Sequence, residues 1–197
     1  MLAEIITVGD EIITGHTINT NATWLSATLL SAGVKTAYQT AIGDDVAQME
    51  TAFRQALSRV DLVIVTGGLG PTDDDMTKKA IVKVFQRNLV YHEEILADIE
   101  KRYAARGIHM PEVNQNQALL PQGATFLPNR LGSAVGILIE ETETVFLALP
   151  GVPAEMRCIV NEEFLPRLRE THGGPVVLTR KVRTSGIVES ALAEKVA

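Results

Sequence analysis

Cysteine is almost absent from the sequence, which contains Cys158 alone among 197 residues. A single cysteine cannot form a disulfide within the chain, and the four scattered histidines do not complete a Cys/His metal cage. A chain of this length buries about 70% of the surface that its unfolded form exposes, so one core can stabilise it without a disulfide or a structural metal. We therefore expect a reduced protein that is stabilised by packing.

Long apolar runs and a basic leader are also missing. No apolar stretch approaches the ~20 residues of a membrane-spanning helix. The chain begins Met1-Leu2-Ala3-Glu4, with an acid where a signal peptide would carry a base. We therefore expect a cytoplasmic protein with no membrane partner.

Positive charge is in the minority, since 18 Lys and Arg against 24 Asp and Glu give a net charge of -6. A protein whose main task is to bind nucleic acid has the opposite balance, so we expect no nucleic-acid partner. A small phosphorylated ligand remains compatible with this charge, because it needs only a local cluster of donors or a metal. The 46% of hydrophobic and 21% of charged residues are typical of a soluble globular domain.

Strand and helix patterns alternate in the first half of the chain. The apolar runs 3–8 and 62–65 predict strands buried on both faces, and residues 34–42 have strand composition. Helical patterns follow these strands and begin near Asn19, Gly43 and Asp73. Three strand–helix units with short connections predict an α/β three-layer sandwich with a mostly parallel mixed sheet. Ligands bind such sheets outside the carboxyl ends of the strands, so we expect the site in the loops after Val8 and Val65.

The second half is less regular. Helical patterns cover residues 92–106, 113–120 and 154–169. Residues 124–127 have the pattern of a short strand, and the apolar β segments 135–139 and 144–149 flank an acidic turn. After a linker at 172–175, one strand pattern (176–183) and one helix from Gly186 complete the chain. One strand and one helix cannot bury a core alone. We therefore expect a domain at 1–170 and, at 171–197, a linker with the truncated start of a small α+β domain.

The strongest motif is Thr66-Gly67-Gly68-Leu69-Gly70-Pro71-Thr72-Asp73-Asp74-Asp75, which we call the glycine loop. Three glycines between a buried strand and a helix let the backbone approach a ligand, and the first N–H groups of the helix form an anion site. The motif is not a Walker A loop, because no Gly-Lys-Ser/Thr follows. It is not a dinucleotide fingerprint either, because Asp73 stands at the position of the third glycine.

The three consecutive aspartates of this loop would repel a phosphate unless a divalent cation bridges carboxylate and phosphate oxygens. An aspartate in the first turn of a helix also favours the helix dipole, by about 0.3–1 kcal/mol. One or two of the three fit that structural role, but three in succession behind three glycines favour a metal site. Lys78, one turn further on, either reaches a phosphate or lies on the solvated surface.

Three other loops carry candidate residues. Asp10 and Glu11 follow the first strand at the same expected edge of the sheet, where they offer carboxylates to a metal or a sugar hydroxyl, or form only a turn. Asp44-Asp45 follows the next strand and offers two more carboxylates, although capping a helix is the simpler role of this pair. Pro150-Gly151-Val152-Pro153-Ala154-Glu155 is a rigid turn that either walls a pocket or sets the angle of the last helix. No nucleophile elbow and no His-Glu-x-x-His motif is present.

Five separated motifs together resemble a known family. They are Gly9-Asp10-Glu11, Asn19-Thr20-Asn21, and the segments 65–75, 116–124 and 149–156. These motifs resemble the amino-terminal domain of the competence/damage-inducible protein CinA family, which is similar to the molybdopterin-binding MoaB/MogA domain. The resemblance covers about residues 1–170. Residues 176–197 resemble the start of the small linking domain that follows in such proteins, whose carboxy-terminal nicotinamide-mononucleotide deamidase domain has no counterpart here.

The resemblance implies a metal-dependent ADP-ribose pyrophosphatase activity on an α/β sandwich. Relatives that bind molybdopterin have a loop resembling Gly-Gly-Thr-Gly followed by a lone catalytic Asp, whereas this chain has Leu69 and a run of aspartates. That departure favours cleavage of a diphosphate over pterin adenylylation. Two alternatives stay open: a non-catalytic nucleotide or molybdopterin binding domain, and a molybdopterin adenylyltransferase.

We therefore expect a site that hydrolyses ADP-ribose to AMP and ribose 5-phosphate. The glycine loop would hold the diphosphate, a divalent Mg²⁺, Mn²⁺ or Co²⁺ would activate it, and Lys78 would offset the charge of the leaving phosphate. The catalytic candidates are Asp10, Glu11, Asp74 and Lys78, and the metal ligands are Asp73, Asp74 and Asp75. The substrate-binding candidates are Thr66, Gly67, Gly68, Gly70, Asn21, Asp44, Pro150, Gly151 and Glu155. The expected partners are a small-molecule nucleotide and, in a homodimer, a second copy of the chain.

Overall fold

The computed structural model describes residues 1–72, 75–171 and 183–196. The strands are β1 (Leu2–Val8), β2 (Lys35–Ile42), β3 (Leu62–Thr66), β4 (Leu89–Tyr91), β5 (Leu119–Pro121), β6 (Thr125–Leu127), β7 (Gly136–Glu140) and β8 (Val145–Leu149). The α-helices are α1 (Asp10–Ile13), α2 (Thr20–Ser31), α3 (Val46–Leu57), α4 (Thr77–Phe85), α5 (Glu93–Ala105), α6 (Pro153–Ile159), α7 (Leu165–Thr171) and α8 (Glu189–Val196). A 3-10 helix spans Glu112–Ala118, and a π-helical turn, Val160–Phe164, joins α6 to α7.

Six strands form the central sheet in the order β2-β1-β3-β8-β7-β6. β1 pairs in parallel with β2 and β3, and β3 pairs in parallel with β8. β7 runs antiparallel to both β8 and β6, so it alone opposes the direction of the others in this sheet. The predicted mostly parallel mixed sheet is therefore confirmed. β4 and β5 form a separate antiparallel ladder.

The central strands carry apolar side chains on both faces. On β3, Val63 and Val65 belong to one core and Leu62 and Ile64 to the other, and all four are fully buried. Helices α3, α4 and α5 cover the first core, while α2, α6 and α7 cover the second. The resulting three layers explain why these strands have continuous apolar runs rather than an alternating pattern.

Two helices differ from their sequence predictions. α4 begins at Thr77 rather than near Asp73, because the carboxylate of Asp75 accepts the N–H groups of Gly70 and Thr72 and closes a loop ahead of the helix. The short helix expected at 113–120 is the 3-10 helix, and its last two predicted residues belong to β5. α1 and β4 are too short to give a periodic pattern and were not predicted.

The carboxy-terminal predictions are only partly covered by the described residues. The linker at 172–175 and nearly all of the strand at 176–183 lie outside them. The helix expected from Gly186 is α8, which begins at Glu189. The division of the chain after residue 170 stays a prediction. Within the described part of the chain, no helix combines the length and the apolar character needed to cross a membrane.

Candidate functional site

A cleft of about 500 Å³ lies at the carboxyl ends of β1, β3 and β8. These ends are level with one another, because Thr66 is in register with Thr7 on one side and with Leu149 on the other. The cleft, which we call the glycine cleft, is walled by the turn after β1, the glycine loop after β3 and the turn after β8. The structure therefore brings together the two loops in which the sequence placed the site, after β1 and β3, and the turn after β8, whose role the sequence left open.

The glycine loop packs too closely against β1 to accommodate side chains at two positions. Gly67 has φ of +111°, and a Cβ at this residue would collide with the carbonyl oxygen of Val8. Gly68 has φ of +64°, and its Cβ would lie 2.5 Å from Thr77 Oγ1. Both φ values lie in the region that favours glycine, so the conformation of this tight loop requires glycine at both positions.

Two fully buried threonines hold the loop in place. Thr66 Oγ1 donates to the carbonyl of Pro150 at 2.9 Å, and Thr77 Oγ1 donates to the carbonyl of Gly67 at 2.8 Å. The N–H of Thr77 also donates to the carbonyl of Gly68 at 3.1 Å. These bonds use the loop's carbonyl groups. The N–H groups of Gly68 and Leu69, two residues that line the cleft, have no acceptor among the described residues.

Asn21 joins two walls of the cleft. Its Nδ2 donates to Thr66 Oγ1 at 3.2 Å and to the carbonyl of Gly151 at 2.8 Å. α2 begins at this point because Asn19 accepts the N–H of Ala22 at 3.0 Å, as its cap pattern predicts. Asn21 is only 8% exposed, and its Oδ1 has no hydrogen-bond partner within the described ranges of the chain. An unpaired buried acceptor costs about 1–3 kcal/mol, which favours a role for Oδ1 beyond packing.

The turn after β8 is part of the cleft wall. The carbonyls of Pro150 and Gly151 accept the bonds from Thr66 and Asn21, and a Cβ on Gly151 would lie 3.3 Å from the Cα of Gly67. Of the two roles left open for this turn, walling a pocket is therefore observed. The same turn also starts α6, with Pro153 in its first turn.

Asp10 and Asp44 link the loops that follow β1 and β2. Asp44 Oδ2 accepts the N–H of Asp10 at 3.0 Å, and Asp10 Oδ1 accepts the N–H of Asp44 at 3.1 Å. The helix cap expected of the pair Asp44-Asp45 is provided by Asp45, which caps α3 by accepting the N–H of Gln48 at 2.8 Å. Asp44 instead lines the glycine cleft together with Glu11.

The glycine cleft is strongly acidic. Its lining includes Glu11, Asp44, Asp75 and Glu155, and no Lys, Arg or His among the described residues. Burial raises the pKa of Asp44, and the charges of Asp10, Glu11 and Asp75 raise it further, against the lowering effect of the Asp10 N–H. These carboxylates repel an anion that enters the cleft.

Asp75 closes the glycine loop. Its Oδ1 accepts the N–H of Gly70 at 2.6 Å, and its Oδ2 accepts the N–H of Thr72 at 2.9 Å and the Thr72 hydroxyl at 2.6 Å. Both carboxylate oxygens of this predicted metal ligand thus already serve the loop. Asp73 and Asp74 lie outside the described residues. In the parts of the chain that are described, no group of three acidic, His or Cys side chains has the arrangement of a metal site, so the Mg²⁺, Mn²⁺ or Co²⁺ site stays a prediction.

The side chain of Lys78 contacts the 3-10 helix. Its Nζ donates to the carbonyl of Asn116 at 2.7 Å and to Gln117 Oε1 at 3.2 Å. Burial lowers the pKa of Lys78 to about 8, although the charge of Asp75 acts in the opposite direction. Gln117 Nε2 donates in turn to the carbonyl of Leu69 at 2.9 Å. Lys78 thus supports the glycine loop through Gln117. This geometry gives no support to the predicted role of Lys78 on a leaving phosphate.

The loop of residues 128–135, before β7, also walls the cleft and was not predicted. Ser133 and Ala134 line the cleft. The loop is shaped by Asn129, whose Oδ1 accepts the N–H groups of Leu131 at 2.9 Å and Gly132 at 3.0 Å. Asn129 Nδ2 donates to Glu155 Oε2 at 2.6 Å and so fixes this carboxylate at the rim. The signal in the sequence is the run of small residues Gly132-Ser133-Ala134-Val135-Gly136 between two strands.

Comparison with known proteins gives the same architecture. The family model described as "Probable molybdopterin binding domain" matches residues 4–170. A CinA-like protein of Gemmatimonas aurantiaca is 45% identical over 196 residues, which are 98% of this chain and 46% of the relative. A CinA-like protein of Microcystis aeruginosa is 44% identical over 199 residues, covering 100% of this chain and 48% of the relative. The chain thus spans about half the length of the curated relatives it matches.

Solved structures extend the comparison to the fold. CinA from Thermoplasma acidophilum matches with a TM-score of 0.76 and 33% identity, covering 86% of this chain and 96% of that one. The molybdopterin biosynthesis enzyme MoaB from Thermus thermophilus matches with a TM-score of 0.59 and 20% identity, covering 89% of this chain and 99% of that one. The fold is therefore that of the MoaB/MogA α/β domains. The chain belongs to the molybdopterin binding domain family, among its CinA-like members.

Proposed function

We propose that this domain binds a small phosphorylated nucleotide or pterin in the glycine cleft. The observation that carries the proposal is the glycine loop, whose carbonyls are engaged while the N–H groups of Gly68 and Leu69 at the cleft have no acceptor among the described residues. Successive free N–H groups in a tight loop are suited to phosphate oxygens. Membership of a molybdopterin binding domain family supports a ligand of this size and chemistry.

A second polar contact supports a ligand that extends beyond its phosphate. Asn21, Glu11 and Gly151 line a smaller cavity that adjoins the glycine cleft at Val8. Asn21 Oδ1 is a buried acceptor without a partner among the residues described, and a hydroxyl or amino group of a sugar, purine or pterin in this cavity would supply the donor that it lacks. This assigns the glycine loop to the phosphate and Asn21 to a neutral part of the ligand.

The test of binding compares two glycine variants with similar backbone conformations. Gly68→Ala places a methyl group 2.5 Å from Thr77 Oγ1 in the loop, whereas Gly107→Ala, at φ of +67°, meets nothing within 4 Å. Both variants are strained by their positive φ, but Gly107 is not among the residues that line the cleft. We expect calorimetry with AMP, ADP-ribose and a pterin phosphate, with and without Mn²⁺, to detect binding that Gly68→Ala weakens at least about tenfold and Gly107→Ala retains. Wild-type protein that binds none of these compounds contradicts the proposal.

Metal-dependent cleavage of ADP-ribose to AMP and ribose 5-phosphate is the second candidate, and the acidic rim favours it. A diphosphate held beside Glu11 and Asp44 requires a divalent cation, and carboxylate oxygens are the ligands that Mg²⁺ and Mn²⁺ prefer. When bound, such a cation would polarise the phosphate and lower the pKa of a water molecule. Glu11 would then accept a proton from the attacking water, while the N–H groups of Gly68 and Leu69 would hold the phosphate oxygens.

The test of cleavage measures AMP release from ADP-ribose with Mg²⁺, Mn²⁺ or Co²⁺. We expect Glu11→Gln and Asp74→Asn to lower the rate at least about a hundredfold. Glu143→Gln, in the exposed turn between β7 and β8, is the matched control and should keep the rate. Binding without turnover in every metal would instead support a non-catalytic binding domain, and turnover only of ATP with a pterin would support adenylyl transfer.

A further inference from the structure

A second cleft, of about 230 Å³, adjoins the glycine cleft. The two clefts share Ser133 and Glu155 in their walls. The second cleft lies between the 128–135 loop and the end of α5, which contributes Arg102 and Tyr103, with Arg106 following directly. A ligand longer than the glycine cleft can therefore continue into the second cleft past Ser133.

The second cleft contains cations, which the described lining of the glycine cleft lacks. The guanidinium of Arg102 is already engaged, because it donates to the carbonyls of Asn129 and Gly132 and pairs with Asp98 at 2.7 Å. The guanidinium of Arg106 has no hydrogen-bond or ion-pair partner among the residues that the structure describes. The planar, charged guanidinium group of Arg106 is thus available to bind an anion.

Two further residues that line this cleft, Tyr103 and Ser133, carry hydroxyl groups. The Ser133 hydroxyl has no partner within the described chain, and Tyr103 Oη accepts a bond from Asn114 Nδ2 at 3.2 Å, which leaves its own proton to donate. Glu155 also lines the cleft, but its Oε2 accepts the bond from Asn129 and it forms no ion pair with Arg106. A guanidinium with two hydroxyl donors suits the oxygens of a phosphate monoester.

We propose that the second cleft binds a phosphate monoester on the same ligand whose diphosphate is held at the glycine loop. Arg106 is then a specificity-determining residue, which separates nucleotides with this additional phosphate from those without it. The inference rests on the proposed function, because it requires a phosphorylated ligand in the glycine cleft. It narrows that ligand to the class of nucleotides that carry a diphosphate and a separate phosphate monoester.

The test uses ADP-ribose and ADP-ribose 2′-phosphate, which differ by one phosphate monoester. Dissociation constants are measured by calorimetry with Mn²⁺ for the wild type, Arg106→Gln and Lys101→Gln. Lys101 is exposed on α5 outside the cleft, so its variant removes the same charge at another place. We expect the wild type and Lys101→Gln to bind the 2′-phosphate at least about tenfold more tightly than ADP-ribose. Arg106→Gln should lose this preference while its affinity for ADP-ribose changes less than about twofold.

Equal affinity of the wild type for the two compounds, or a preference that persists in Arg106→Gln, overturns the inference and leaves the proposed function standing. A wild type that binds neither compound also overturns the inference, whereas the proposed function is overturned only if AMP and the pterin phosphate fail to bind as well. Arg106→Lys keeps the charge but not the planar guanidinium group, so it should retain part of the preference for the 2′-phosphate. This variant replaces Arg106→Gln in the test if Arg106→Gln fails to fold.

Discussion

The ammonium group of Lys78 makes its hydrogen bonds within the protein. Its ammonium group bridges to Asn116 and Gln117, and Gln117 holds the carbonyl of Leu69 in the glycine loop. The sequence places Lys78 one turn beyond that loop, which is where a phosphate-binding lysine would also stand. Its acceptor lies 38 residues further along the chain, so local spacing cannot distinguish the two roles.

We expect the stability of the protein to rise with pH above about 8 because of Lys78. Burial lowers its pKa from 10.5 to about 8, so the unfolded protein binds the additional proton between these values, and raising the pH removes that advantage. A shift of this size corresponds to at most about 3 kcal/mol. Urea unfolding from pH 7 to 10.5 should therefore show wild-type protein gaining stability relative to Lys78→Met across this window.

The exposed neighbour Lys79 provides the control for this titration. Lys79→Met removes the same charge from the adjacent position of α4, and its stability relative to the wild type should change little over the same range. A free-energy difference between wild type and Lys78→Met that stays flat from pH 8 to 10.5 would show that Lys78 is not titrating in a buried setting.

The secondary-structure elements differ in how far their own sequences specify them. α2 and α3 are long and capped by Asn19 and Asp45, and their starts were predicted within a few residues because cap and periodicity are local signals. β4 is three residues long and exists because it pairs with β5, where Leu89 is in register with Pro121. No local pattern contains that information. The start of α4 was misplaced for a related reason, since Asp75 bonds backward to the loop rather than into a helix.

The glycine loop depends on Asp75 as a closing element. Asp75→Ala removes the acceptor for two N–H groups and one hydroxyl, so we expect the free energy of unfolding to fall by about 1–2 kcal/mol. Ligand affinity should fall at least about tenfold, because the N–H groups of Gly68 and Leu69 lose their fixed positions. Urea unfolding and calorimetry with ADP-ribose measure the two effects.

Asp61→Ala is the matched control for this loop variant. Asp61 Oδ2 also accepts a backbone N–H, that of Leu2 at 2.7 Å, but at the opposite end of the sheet. This variant should lose some stability and keep its ligand affinity. If Asp61→Ala and Asp75→Ala weaken binding to the same extent, the loss follows general stability and the specific role of Asp75 is refuted.

At the scale of the whole molecule, the position of the site follows from topology. The loops after β1, β3 and β8 meet because parallel neighbours end at one edge. Apolar strand patterns were sufficient to predict a common site for the loops after β1 and β3, but they left the role of the turn after β8 open. The 128–135 loop reaches the same cleft through the antiparallel pairing of β6 with β7. Periodicity does not reveal strand order, and the contributions of Ser133 and Asn129 were missed for that reason.

The glycine cleft is acidic and the chain has a net charge of -6. We therefore expect the affinity for ADP-ribose to depend on salt concentration in an unusual way. With EDTA present, ADP-ribose should bind weakly, and its affinity should increase as NaCl rises from about 10 to 100 mM. The Debye length then falls from about 30 to about 10 Å, so the carboxylates repel the diphosphate less. With saturating Mn²⁺ the ligand meets a bound cation, and the same increase in salt should weaken binding. Calorimetry over the two salt series measures both slopes. Affinity that falls with salt in EDTA would mean that the protein itself supplies the positive charge, and the acidic cleft would then not be where the diphosphate binds.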